Sequence, residues 1–162
     1  MAEKSVPQKP TAAFIGASWA ALIIGLGSYL IGLGNAGTMA LNEKGYYFTI
    51  ILFGLFAAIS VQKSVRDRSE NIPVTNLYYG IAWFCVLASL LLLGIGLWNA
   101  DLLLSEKGFY GVSMAMALFA AIAVQKNVRD LAAFAKDEPK PVVAEKPRAA
   151  WGAPSNPPVA KD

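Results

Sequence analysis

Four long apolar stretches, separated by short polar ones, dominate the chain. They run from about Thr11 to Leu33, from Tyr46 to Val61, from about Leu77 to Leu97 and from Phe109 to Val124. At a helical rise of about 1.5 Å per residue, the first and third are long enough to cross a hydrocarbon core roughly 30 Å thick. The second and fourth hold 16 residues each, short of the roughly 20 that span with ease. Their polar ends must complete the crossing. Lys63 and Lys126 suit this, because a lysine can lay its methylene stem along the helix and carry its ammonium to the interface. The pattern predicts an all-α integral membrane four-helix bundle.

The first stretch also invites reading as a secretory signal peptide, since Lys4 and Lys9 precede it and Gly34-Asn35-Ala36 resembles a cleavage site. Its apolar length exceeds the roughly 7 to 15 residues of a signal core. An internal duplication decides the matter. Gly32-Leu33-Gly34-Asn35-Ala36 matches Gly96-Leu97-Trp98-Asn99-Ala100 at the end of the third stretch, which no signal peptide occupies.

That duplication is the strongest signal in the sequence. Leu41 to Asp67 aligns without gaps on Leu104 to Asp130, with 16 of 27 positions identical, far above chance for any composition. Glu43-Lys44-Gly45-Tyr46-Tyr47 recurs as Glu106-Lys107-Gly108-Phe109-Tyr110, and the block from Leu55 through Gln62-Lys63-Ser64-Val65-Arg66-Asp67 recurs from Leu118 through Gln125-Lys126-Asn127-Val128-Arg129-Asp130. The first loop carries one extra residue between its Asn and its Glu. Each unit holds two spans, so both copies enter from the same side, as two tandem helical hairpins in parallel repeat about an axis along the membrane normal. The expected divisions are an N-terminal tail (1–11), a first repeat (12–67), a linker (68–76), a second repeat (77–131) and a disordered tail (132–162). From about Lys136 the composition turns to Pro, Ala and Lys, with Trp151 an isolated exception.

Charge refines the picture. Of 162 residues 56% are hydrophobic and 15% charged, against about a quarter charged in soluble domains. The net charge of +3 sits in tails and connections. Lys4 and Lys9, then Lys63, Arg66 and Arg68, then seven Lys and Arg from Lys126 onward contrast with Lys44 and Lys107 alone in the other two connections. Positive segments stay inside, so both termini and the middle linker are expected in the cytoplasm. Anionic headgroups are the expected lipid partner there. No nucleic-acid motif is present.

Chemistry is sparse. Histidine is absent and Cys85 is the lone cysteine, so an intramolecular disulfide is excluded and the usual haem, zinc, copper and thiol–histidine sites lack ligands. A buried, inert thiol is expected. No cofactor, no metal and no enzymatic activity are expected. No Asp, Glu, Lys or Arg falls inside any of the four stretches, which disfavours a proton- or ion-coupled carrier.

The two Glu-Lys-Gly-aromatic blocks and the two Gln-Lys-x-Val-Arg-Asp blocks resemble the bacterial inner-membrane YiaA/YiaB family, defined by the YiaAB two-helix domain. The resemblance covers about residues 14 to 131, and the two-copy arrangement is that of YiaA-like members. The extra loop residue departs from the family's tighter Asn-to-Glu spacing. The resemblance implies an inner-membrane location and no reaction.

Three residue groups remain as candidates. Asn35, Glu43, Lys44, Asn99, Glu106 and Lys107 are expected chiefly to cap helices and close loops; the alternative is that they converge as a pseudo-symmetric polar site on the extracytoplasmic face. Asn42 and Ser105 read as N-caps, with Glu43 and Glu106 favourable to the helix dipole and Gly45 and Gly108 allowing close backbone approach. At the other face, Gln62, Lys63, Arg66 and Asp67 with Gln125, Lys126, Arg129 and Asp130 form a patch for anionic lipid or a protein partner. Asp67 and Asp130 stand four residues after a lysine and can pair with it, and Gln62 and Gln125 are deep enough to hydrogen-bond between helices. Gly54 and Ala58, with Ala117 and Ala121, recur at spacing four as packing faces. Function then divides between a non-enzymatic component that binds or modulates a partner and a small transporter or channel acting as an oligomer.

Overall fold

The computed structural model describes residues 9–137; the sequence expectations for most of both tails lie outside them. Four helices form: α1 (Ala12–Asn35), α2 (Leu41–Ser69), α3 (Asn76–Asn99) and α4 (Leu104–Asp137). All four are long and apolar enough to cross a membrane. The short second and fourth apolar runs become the longest helices, because their flanking Glu-Lys-Gly and Gln-Lys-x-Val-Arg-Asp segments are helical too. α4 continues through Asp137, past the boundary expected at Leu131. The Ala-Ala-Phe-Ala-Lys that follows Leu131 favours helix.

α1 and α3 begin alike. Thr11 and Thr75 sit in extended conformation, and each side-chain oxygen accepts the N–H three residues on, from Phe14 and Tyr78, at 3.2 Å. The sequence reading passed over both caps. On the other two helices the expected caps stand two residues late: Asn42 and Ser105 lie inside the first turn, behind Ala40 and Leu103. Neither of those residues has a side chain that can cap. The carboxylates of Glu43 and Glu106 accept their backbone N–H groups instead, at 2.7 and 2.8 Å, so half of a capping box does the work.

α2 ends in a Schellman motif. Asn71 has φ 59°, Ile72 N–H bonds the Asp67 carbonyl at 2.8 Å and Asn71 N–H that of Arg68 at 3.2 Å. Asparagine tolerates the left-handed conformation better than most residues, and Pro73 just beyond forbids continuation of the helix.

The packing order differs from two self-contained hairpins. α1 packs chiefly on α4 and α3 chiefly on α2, with α2 against α4 in the middle; within each repeat the two helices meet only sparsely. Across the bundle the order is α3, α2, α4, α1. The inner pair buries more of itself than the outer pair, which turns side chains such as Ile23, Phe84 and Leu91 outward. In a bilayer those faces meet lipid, so outward apolar residues carry no penalty.

Small residues set the two cross-repeat interfaces. A Cβ on Gly25 would lie 2.8 Å from the backbone nitrogen of Ala117. At the matching place in the other interface, a Cβ on Gly54 would lie 3.3 Å from Ser89 Oγ and 2.7 Å from Met114 Cε. Gly25 and Ser89 occupy equivalent positions, as do Gly54 and Ala117, so each crossing holds one glycine, contributed by opposite partners. Ala58 and Ala121 are buried as well. Between the inner helices lies a core of Tyr29, Tyr47, Tyr110, Ile51, Met114 and their neighbours. Tyr29 donates its hydroxyl to the Tyr47 carbonyl at 3.0 Å, and its ring meets that of Tyr110 edge-on at 5.4 Å. Cys85 is free and half-buried.

Candidate functional site

Polar chemistry gathers at the two ends of the bundle. At the hairpin-loop end, each repeat uses its Glu-Lys pair locally. Glu43 and Glu106 cap their own helices. Lys44 donates to the Gly34 carbonyl at 3.0 Å and Lys107 to the Trp98 carbonyl at 3.4 Å, equivalent positions in the last turn of the preceding helix, where unsatisfied carbonyls favour a cation. The aromatic residue reaches the other repeat. Tyr46 lies on Gly96 and Phe109 on Gly32, with the ring carbon 2.7 and 2.6 Å from where a Cβ would stand. Gly45 and Gly108, expected to allow backbone approach, face open space; Gly32 and Gly96 instead make room for aromatic rings.

The alternative of a single site joining Asn35, Glu43, Asn99 and Glu106 therefore splits in two. One recess of about 310 Å³ brings Glu43 to Asn99, and another of about 330 Å³ brings Glu106 to Asn35. Each joins the end of one repeat's first helix to the start of the other repeat's second helix, because those are the helices that pack together. All four side chains are exposed, and Asn99 donates to the Ile95 carbonyl of its own helix. Capping and loop closure account for these contacts.

At the opposite end the two copies build the same charged cluster. Arg66 gives Nε and Nη2 to Asp67 Oδ1 at 3.1 and 2.6 Å, while Lys63 approaches the other carboxylate oxygen at 3.2 Å. Arg129 does likewise with Asp130 at 3.0 and 2.7 Å, and Lys126 lies 2.9 Å from it. Both aspartates are largely buried, with side-chain exposures of 7% and 16%, and both lysines are more than half exposed. A sequestered carboxylate held by two cations keeps its charge and fixes the arginine fork. Glu70 adds a looser contact to Arg66 at 3.6 Å.

The copies diverge one turn away. Asn127, fully buried, donates to Ser18 Oγ at 3.1 Å and so ties α4 to α1. Its counterpart Ser64 donates to the Ser60 carbonyl within its own helix. Sequence reasoning missed Asn127; the signal was a polar residue on the same helical face as Ala120 and Val124. Gln62 and Gln125 do not bridge helices as expected: each side-chain oxygen is buried without a hydrogen-bond partner, as is Asn127 Oδ1. Arg68, in the last turn of α2, joins that helix to α3 by a hydrogen bond to Asn76 at 2.5 Å and by stacking 3.9 Å above Tyr79. Among the described residues, no cluster of three or more His, Cys, Asp or Glu could hold a metal ion.

The yiaA/B two helix domain matches this chain twice, over residues 14–67 and 78–130. Inner membrane protein YiaA of Escherichia coli (strain K12) is 56% identical over 118 residues, which cover 73% of this chain and 81% of that protein. Uncharacterized membrane protein YubF of Bacillus subtilis (strain 168) is 36% identical over 64 residues, covering 40% of this chain and 74% of that protein. No solved structure matches. With two copies of the domain, each ending in the same lysine–aspartate–arginine cluster, and four membrane-crossing helices between them, the chain belongs to the YiaAB family of multi-pass inner-membrane proteins.

Proposed function

We infer that this protein is a non-enzymatic membrane component that binds or modulates a protein partner through its charged end. The observation that carries the reading is the duplicated cluster: Lys63, Arg66 and Asp67 repeat the geometry of Lys126, Arg129 and Asp130 within a few tenths of an ångström. Helix anchoring alone needs cations at the interface and no buried carboxylate to orient them. By the distribution of Lys and Arg, this end lies in the cytoplasm together with both termini, and the two repeats enter the membrane from the same side.

The interior supports the same reading. Ser18, Ser64 and Ser89 donate to carbonyls of their own helices, and the centre is filled by Tyr29, Ile51 and Met114. Among the described residues no ionisable group but tyrosine is buried in the middle of the bundle. A small transporter or channel acting as an oligomer is the second reading, favoured by the three unpartnered side-chain oxygens of Gln62, Gln125 and Asn127.

Affinity purification of the tagged protein in mild detergent tests the first reading, with the Lys63, Arg66, Lys126 and Arg129 to Ala variant as control. A protein recovered by the wild type and lost in the variant supports it. Equal recovery of every protein by both sinks it, and flux assays in liposomes then address the second.

A further inference from the structure

α3 and α4 touch only sparsely, and a crevice of about 490 Å³ opens between α2, α3 and α4. That volume lies in the range of roughly 300 to 1,000 Å³ occupied by small-molecule sites. Its wall is apolar over most of its length, built from Ala58, Val61, Trp83, Val86, Leu118 and Ile122. Its polar end carries three cations, Arg66, Lys126 and Arg129. These come from different repeats, so the cluster exists only because α2 and α4 pack together. Gln62 also lines the crevice, one helical turn deeper than Arg66, with its buried Oε1 unpartnered.

The cations retain donors after their internal pairing. Each arginine gives Nε and Nη2 to its aspartate; among the described residues Nη1 of neither makes a hydrogen bond. Lys126 spends one of three N–H groups on Asp130. The aspartates thus hold two guanidinium groups with donors free, at the end of a helix pair where headgroups lie in a bilayer. A soluble anion would use the cations and waste the apolar wall. A hydrocarbon would do the reverse. An amphiphile with a phosphate head uses both, and arginine suits phosphate.

We propose that this crevice binds an anionic phospholipid, one acyl chain lying along Trp83, Val86, Leu118 and Ile122 and the phosphate held by Arg66, Lys126 and Arg129. The lipid enters laterally from the bilayer. The site needs neither a protein partner nor a particular orientation, so it goes beyond the function inferred above.

The test is native mass spectrometry of the full chain released from detergent, titrated with phosphatidylglycerol or with phosphatidylcholine of the same acyl chains. Wild type should retain phosphatidylglycerol about tenfold better, and Arg66→Gln, Lys126→Gln and Arg129→Gln should each weaken it roughly fivefold. Val86→Phe fills the apolar part without touching a charge and should weaken both lipids; Lys44→Gln, at the opposite end, should change neither. Inorganic phosphate and glycerol phosphate at millimolar concentration should not compete. Equal retention of the two lipids, indifference to the cation substitutions, full binding by Val86→Phe, or displacement by free phosphate would each overturn the proposal. Circular dichroism and a monodisperse elution profile establish that each variant is folded. Loss of lipid binding in Val86→Phe with partner recovery intact would separate this site from the inferred protein interface.

Discussion

Gly25 lies against the backbone of Ala117 so closely that a Cβ would stand 2.8 Å from its nitrogen. Backbone cannot retreat as a flexible side chain can, so Gly25→Ala should push α1 off α4 and destabilise the bundle by about 1 to 3 kcal/mol. At the equivalent crossing, Gly54→Ala meets the mobile tip of Met114 and should be the milder change. Thermal unfolding of the two variants in one detergent ranks them; equal midpoints would contradict this packing.

The cross-repeat order predicts which helices can be linked chemically. In a Cys85→Ser background, cysteines at 32 and 109 should join rapidly with a short bifunctional thiol reagent, because Phe109 of α4 lies on Gly32 of α1. The pair at 96 and 46 should behave alike. Cysteines placed at mid-membrane on Ile24 and Leu52, outward on α1 and α2, should stay unlinked. The reverse pattern on a denaturing gel would mean that each hairpin packs on itself.

Tyr29→Phe removes one buried hydroxyl that donates to the Tyr47 carbonyl and keeps the ring against Tyr110. The expected loss is about 0.5 to 1.5 kcal/mol. Leu93 stands at the equivalent place in the second repeat, so no second bond compensates. Steric-trap unfolding measures the difference.

The hydrogen bond between Asn127 and Ser18 should give a coupling energy of about 0.6 kcal/mol in a double-mutant cycle with Asn127→Ala and Ser18→Ala. The equivalent pair, Ser64 and Ala82, offers no such bond. Ser64→Ala removes only a bond within its own helix, so its cycle with Ser18→Ala should show no coupling.

Asn71 occupies the left-handed region at φ 59°. Asn71→Gly should hold or raise stability, whereas Asn71→Val should lower it by roughly 1 to 2 kcal/mol. The ordering Gly, Asn, Val in unfolding midpoint checks it; a valine variant as stable as wild type would refute it.

Much of the architecture was legible because the physics behind it is local. Apolar length reports membrane crossing, and a gapless duplication reports a second copy of whatever the first one is. The Lys–Asp pairings at spacing four were legible for the same reason, since helical periodicity alone brings Lys63 to Asp67 and Lys126 to Asp130. The caps were less so. Ser and Asn look like caps wherever they stand near a helix start, and only the backbone reveals that Glu43 and Glu106 satisfy N–H groups of residues with no capping side chain.

The polar residues of the recesses and the crevice were legible, but which of them meet, and the apolar wall beside them, were not. In a membrane, outward and inward faces are both apolar, so hydrophobic periodicity does not tell which neighbour a helix chooses. A small residue fits beside its own hairpin partner as readily as beside the other repeat. By itself the sequence determined that four helices cross the bilayer in two copies with charged ends. The tertiary structure alone decided that α1 takes α4 and α3 takes α2, because that choice rests on complementary contacts such as Gly25 with Ala117 and Gly54 with Ser89. Such complementarity is a property of surfaces, and no single segment carries it.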